Sequence, residues 1–269
     1  MPVINNPSTV QEQYKTQDNL AARRGLHQKY DRNKKWSHWV FENYHFFEGC
    51  SILEVGCGDG SMWEGRIETL PEGANLELTD FSPAMVDIVR GKFGNIANVT
   101  AREMDIQSID AADNSYDVII ATLVLQHVPD LQKAIAEVYR VLKPQGIFYA
   151  FTFGKNGAIR FLREKLQEFD PSLDVYKESD YPLTMQTVRE PLKKNFEDVV
   201  LYRYADFLEV TDSADLVEYA LSSTAMAGFD RSRAGSLQVF FDSCKDENGI
   251  IYFPREYGMF MAQKNLREL

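Results

Sequence analysis

Ile52-Leu53-Glu54-Val55-Gly56-Cys57-Gly58-Asp59-Gly60 is the stretch whose reading decides the fold. The apolar run Ser51 to Val55 is short, continuous and stopped by a glycine, the pattern of a buried strand. Glycines then recur at every second position. They let the backbone turn sharply at positive φ and let a ligand approach the main chain closely. Residues 61–70 follow with a helical pattern that ends at Pro71-Glu72-Gly73. A strand, a glycine-rich turn and a helix suit several nucleotide-type ligands, so the spacing has to discriminate. A dinucleotide fingerprint, Gly-x-Gly-x-x-Gly/Ala, starting at Gly56 needs Gly or Ala at 61, where Ser61 stands; starting at Gly58 it needs one at 63, where Trp63 stands. The spacing is instead acidic-x-Gly-x-Gly-x-Gly.

Working outward, strands and helices alternate. Leu76 to Asp80 reads as a strand, and Ser82-Pro83 as a helix start with Ser as the cap and Pro at the first position, the helix running to about Phe93. Val99 to Met104 and Tyr116 to Ala121 read as strands, Asp130 caps a helix to Leu142, Lys143-Pro144-Gln145-Gly146 is a turn, and Ile147 to Phe153 is a further strand. This alternation predicts an α/β fold: a doubly wound, mostly parallel seven-stranded sheet of Rossmann-like type, with ligands at the carboxyl edge of the strands. Ala21 to Phe47 is helical and aromatic, with Trp36, Trp39, Val40 and Phe47 on one face. Residues 154–195 form a helical insertion after the fifth strand. Residues 196–209 read as a strand, about 212–223 and 231–245 as helices, and 249–263 as strand-like. The expected organisation is one domain over 1–269: an N-terminal helical lid (1–47), a ligand-binding core (48–153), a helical cap (154–195) and a C-terminal segment (196–269) that completes the sheet.

Composition narrows the function classes. At 44% hydrophobic and 26% charged the chain is an ordinary globular one. A formal net charge of −11 weighs against DNA or RNA as the partner, because phosphate backbones are held through excess Lys and Arg. Cys50, Cys57 and Cys244 have no paired spacing, so neither a disulfide framework nor a metal site is expected. The N-terminus lacks a signal-peptide pattern and no apolar run approaches ~18 residues, so the chain reads as soluble and cytoplasmic with no membrane span. Its oligomeric state is not readable.

The candidate site residues fall at strand ends. Asp80 closes the second strand, 20 residues after Gly60, where a carboxylate accepts hydrogen bonds from a ribose. Asp105 follows the third strand and can accept from an adenine amine, with a backbone N–H near it for the ring. Thr122 and Leu123 follow the fourth.

Taken together, Ile52–Gly60, Leu78–Val86 (LTDFSPAMV), Met104–Ile109 (MDIQSI), Tyr116–Asp130 (YDVIIATLVLQHVPD) and Glu137–Tyr149 (EVYRVLKPQGIFY) resemble the class I S-adenosylmethionine-dependent methyltransferases. The resemblance is to their small-molecule, methyltransferase type 11 branch, which includes ubiquinone- and menaquinone-pathway enzymes. It implies S-adenosyl-L-methionine as cofactor and S-adenosyl-L-homocysteine as product. It further implies that Gly56, Cys57, Gly58 and Gly60 pass under the methionine and ribose, with Glu54 near the cofactor's amino group. Asp80 then takes the ribose hydroxyls, Phe81 and Met85 lie against adenine, Asp105 and Ile106 read its edge, and Thr122 and Leu123 line the methionine. Arg24 and Tyr30, with His27 between them, belong to a region that in relatives closes over the cofactor. Relatives often carry His-His where this chain has Gln126-His127; an amide cannot act as a base, which leaves His127 as the candidate catalytic residue.

The function expected on these grounds is methyl transfer to a small-molecule acceptor by in-line displacement. Two alternatives belong to other classes: a non-catalytic S-adenosylmethionine-binding module, and a nucleotide-dependent oxidoreductase, which the glycine spacing disfavours.

Overall fold

Why β1 forms where it does follows from burial: in Ser51–Val55 every residue after the first is buried, which suits a central strand covered on both faces. The computed structural model describes residues 25–31 and 35–265. β2 (Asn75–Asp80), β3 (Val99–Glu103), β4 (Tyr116–Thr122) and β5 (Leu142–Phe153) pair in parallel around β1. With β6 (Asp198–Val210) and β7 (Ile251–Gln263) they make one seven-stranded sheet in the order β3-β2-β1-β4-β5-β7-β6. β7 runs antiparallel to β5: the Gln145 N–H donates to the Lys264 carbonyl at one end, the Gly154 N–H to the Glu256 carbonyl at the other. The strand order reverses between β1 and β4, so their carboxyl ends flank the topological switch point at which ligands bind in such sheets.

The helices are α1 (Lys35–Glu42), α2 (Pro83–Phe93), α3 (Leu131–Val141), α4 (Ala158–Phe169), α5 (Arg189–Lys193), α6 (Ser213–Leu221) and α7 (Ala234–Ser243), with residues 25–30 also helical. α3 shows why they pack. Ala134, Ile135, Val138 and Val141 share one face and are fully buried, and the Asp130 carboxylate caps the helix by accepting from the Lys133 N–H at 3.0 Å.

Two compact units emerge, each with its own core. One comprises the described parts of Met1–Trp39 with Phe153–Pro182 and Arg203–Tyr257; the other comprises Val40–Thr152, Leu183–Tyr202 and the described parts of Gly258–Leu269. In the first unit Leu26, Leu162, Leu216, Leu237, Phe241 and Phe253 pack together. In the second, β1, β4 and β5 side chains pack against α3 and against Leu183, Val188, Leu192 and Phe196. Residues 196–269 divide between both units.

Three local expectations change. Residues 61–70 are not an α-helix but two 3-10 turns, Ser61–Trp63 and Ile67–Thr69. Gly65 between them adopts φ +69°, a left-handed conformation that no helix propagates through. The Lys143–Gly146 turn lies inside β5 as an irregularity: Tyr116 pairs with Leu142 but Val118 with Ile147. Phe47 does not share a face with Trp36, Trp39 and Val40, because α1 ends at Glu42 and Phe47 is 54% exposed. Ser82 holds the cap position of α2 as expected, yet its hydroxyl makes no capping bond; the Asp80 carboxylate instead accepts from the Ser82 N–H at 2.8 Å.

Candidate active site

β1 delivers Glu54 to its carboxyl end, and the chain then turns through Gly56, Gly58 and Gly60 at φ +68°, +56° and +71°. At Gly56 glycine is required twice. An L-residue is strained at that φ, and a Cβ would lie 2.3 Å from Val124 Cγ2, inside any tolerable contact. The close approach locks the loop after β1 against the loop after β4.

Glu54 is 3% exposed, yet both of its carboxylate oxygens are engaged. The Trp63 indole N–H donates to Oε2 at 2.5 Å and the Thr122 hydroxyl to Oε1 at 3.1 Å. Tyr44, itself buried against Tyr149, hydrogen-bonds to Thr122. A chain of polar side chains thus crosses the switch point: Tyr44, Thr122, Glu54, Trp63. Burial pushes the Glu54 carboxyl up to about 7, although the bonds from Trp63 and Thr122 pull it down and the Asp80 charge adds to the rise. Burial likewise raises the Tyr44 phenol and the Cys57 thiol.

Asp80 is held by main-chain donors on both sides. The Gly58 N–H donates to Oδ2 at 2.9 Å and the Ser82 N–H to Oδ1 at 2.8 Å. The Phe81 N–H is a third main-chain donor, and three donors do not fill the four lone-pair sites of the carboxylate. Burial raises this carboxyl too, with the backbone donors opposing. The helix N-terminus expected after the glycine loop is absent because residues 61–70 are 3-10 turns. The Gly58 N–H is accordingly bonded to Asp80, tying loop to carboxylate.

The remaining sequence candidates divide. Phe81 is 39% exposed beside Asp80, whereas Met85 is 2% exposed inside α2. Asp105 accepts from the Gln107 N–H at 2.8 Å in a local turn, and Ile106 is buried. Leu123 continues from β4 at φ +56°, a rare conformation for a residue with a side chain, its N–H bonded to the Phe151 carbonyl at 3.0 Å. His127 ends a 3-10 turn, Leu125–His127, and is half-buried. Tyr30 has other partners than those expected: its hydroxyl donates to Asp215 Oδ2 at 2.5 Å and accepts from the Asp212 N–H at 3.1 Å, all in its own unit. Arg24 lies outside the described residues.

The fold, the glycine loop and the two strand-end carboxylates are those of a known group. The methyltransferase domain family matches residues 53–150. Malonyl-[acyl-carrier protein] O-methyltransferase 1 of Ilyobacter polytropus is 31% identical over 207 residues, covering 74% of this chain and 75% of that one. The chain belongs to the class I S-adenosylmethionine-dependent methyltransferases. Demethylmenaquinone methyltransferase of Staphylococcus epidermidis is 28% identical over 131 residues, 45% of this methyltransferase and 54% of the relative, so the match spans about half of that enzyme. Among solved structures, the YcgJ protein of Bacillus subtilis superposes with a TM-score of 0.58 at 16% identity, covering 86% of this chain and 98% of that one. Phosphoethanolamine N-methyltransferase 2 of Haemonchus contortus, bound to phosphomonomethylethanolamine and S-adenosylhomocysteine, gives 0.54 at 17% identity, covering 87% and 53%. Both structural likenesses establish the fold. The cofactor of this methyltransferase is S-adenosylmethionine. The site suits it: the loop turns where side chains have no room, and Asp80 presents unfilled lone-pair capacity at its rim.

Tyr44, Trp63, Val124 and Gln126 form this site with the expected residues but were not singled out from sequence as site residues. Trp63 entered only as a misfit to a dinucleotide spacing, and the aromatic density of residues 30–47 was the one signal for Tyr44.

Proposed function

We propose that the enzyme methylates a small-molecule acceptor at the carboxyl edge of β1, β2 and β4. The single observation that carries the placement is the joining of the β1 and β4 ends, by Glu54 and Thr122 and by Gly56 and Val124, around the glycine loop. When bound, the cofactor supplies an electrophilic methyl on a sulfonium sulfur. Asp80 would take the ribose hydroxyls through the lone-pair capacity that Gly58, Phe81 and Ser82 leave free. Phe81 would cover the adenine, Asp105 and Ile106 would read its edge, and Thr122 and Leu123 would line the amino-acid end. Displacement at a sulfonium expels a neutral sulfide, so the enzyme's main task is alignment and exclusion of water rather than acid catalysis.

His127, at the end of the β4 loop, is the proposed base for an acceptor that must lose a proton. A carboxylate acceptor needs no such help, being anionic at neutral pH. The O-methyltransferase named above supports an oxygen acceptor, the demethylmenaquinone methyltransferase a quinone-type acceptor. The test is release of S-adenosylhomocysteine on a panel of carboxylates, phenols, quinols and amines, for wild type and His127→Gln. Turnover of a phenol or amine that falls at least tenfold in the variant supports the base. Turnover that is unchanged removes His127 from the chemistry, and tight cofactor binding without turnover on any acceptor favours a binding module.

A further inference from the structure

Gln126 is 6% exposed and stands three residues beyond the strained Leu123. Its side-chain Nε2 donates to the Leu123 carbonyl at 2.5 Å. A carbonyl only accepts, so the amide nitrogen must face it and the amide oxygen is turned away from it. That oxygen, Oε1, has no hydrogen-bond partner among the described residues, although it is fully buried. A buried carbonyl left unpaired is rare and destabilising, and each such group calls for an explanation. A second orphan lies at the same sheet edge: Thr152 Oγ1, in the residue after Phe151, the β5 partner of Thr122.

We propose that Gln126 Oε1 is a cofactor-reading atom, accepting a hydrogen bond from the α-ammonium of S-adenosylmethionine. This rests on the reading that the methionine end lies along Thr122 and Leu123. An ammonium carries three N–H donors and needs acceptors for them. Glu54, the nearby carboxylate, already holds one donor on each oxygen and the Leu123 carbonyl holds the Gln126 amide, so each has only a remaining lone-pair site to offer. Gln126 Oε1, in the amide bonded to Leu123, carries no donor from the described residues. In this arrangement the same amide stabilises the positive-φ turn through its nitrogen and orients the cofactor through its oxygen. Gln126 is a positioning residue, not a proton-transfer group.

The experiment is a calorimetric cycle with S-adenosylhomocysteine and its analogue lacking the α-amino group, each titrated into wild type and Gln126→Met, which keeps the side-chain length. The preference for the amino ligand is expected to fall about tenfold in the variant, with affinity for the desamino ligand unchanged. An equal preference in both proteins overturns the proposal. So does an equal weakening of both ligands, which would make the amide a clamp on Leu123 and nothing more. Should Gln126→Met not fold, the wild-type Gln126 side-chain amide resonance decides: it is expected to shift with S-adenosylhomocysteine and not with the desamino analogue, and identical shifts overturn the proposal. If neither ligand binds wild type, the cofactor reading itself has failed, a result distinct from all of these.

Discussion

Replacing Glu54 by Gln should make the protein's stability less dependent on pH, and the size of the effect follows from the site. The carboxyl titrates at about 7 in the folded chain against an ordinary 4.5, chiefly because it is buried. Between those values the folded state binds a proton that the unfolded state has released, so stability falls as pH rises. The contribution is complete below pH 4.5 and has gone once pH passes about 7. At about 1.4 kcal/mol per pH unit, the displacement corresponds to about 3 kcal/mol. Glutamine suits the site: its oxygen accepts from Trp63 and its amide donates to the Thr122 hydroxyl. Urea unfolding of both proteins from pH 4.5 to 8 measures the difference. Wild type should lose about 3 kcal/mol relative to Glu54→Gln over that range, most of it above pH 5.5. Asp80, Tyr44 and Cys57, titratable groups that also face this carboxyl, are common to both proteins and largely cancel in the comparison. Parallel pH profiles would refute the argument that burial holds Glu54 protonated.

Three further outcomes follow from the same geometry. Trp63→Phe removes the indole donor that pulls the Glu54 carboxyl down, so the pH window of the wild type should extend upward, read by the same unfolding series. Gly56→Ala should cost about 2–4 kcal/mol, from the left-handed φ and the overlap with Val124; adding Val124→Ala should recover the overlap and not the φ, and a double variant no better than the single would refute that division. Arg255, buried at the centre of Asp31, Asp206 and Tyr204, should cost about 3–5 kcal/mol as Arg255→Met, because two carboxylates lose their counter-charge. Denaturation of the companion variant Asp206→Asn/Arg255→Met should show a smaller loss than the single, and an equal or larger loss would sink the explanation.

Strand identity was legible because it rests on local pattern: the buried run Ile52–Val55 and the continuous Tyr116–Ala121 admit few other readings. Asp80 was legible for a topological reason, since a carboxylate at the end of the second strand must come beside the loop after the first. The helix expected over 61–70 failed because periodicity was outweighed by the φ of Gly65. Two cores were not foreseen, because nothing in the sequence of 196–263 marks which halves of the two long strands serve which unit. Lys264 shows the same limit. It is buried, and its ammonium donates to the Tyr139 and Leu142 carbonyls and to Asn114 Oδ1, closing the end of α3 from over 120 residues away. The polar chain Tyr44–Thr122–Glu54–Trp63 was invisible for this reason too: each residue is ordinary alone, and only the strand order brings them into one line.

The central claim is that the glycine loop and Asp80 together hold S-adenosylmethionine. Titration calorimetry of S-adenosylhomocysteine into wild type and Asp80→Ala tests it most directly. One saturable site per chain is expected, weakened about tenfold to a hundredfold in the variant by loss of hydrogen bonds to a charged group. Absence of saturable binding to wild type, or an unchanged affinity in Asp80→Ala, would contradict it.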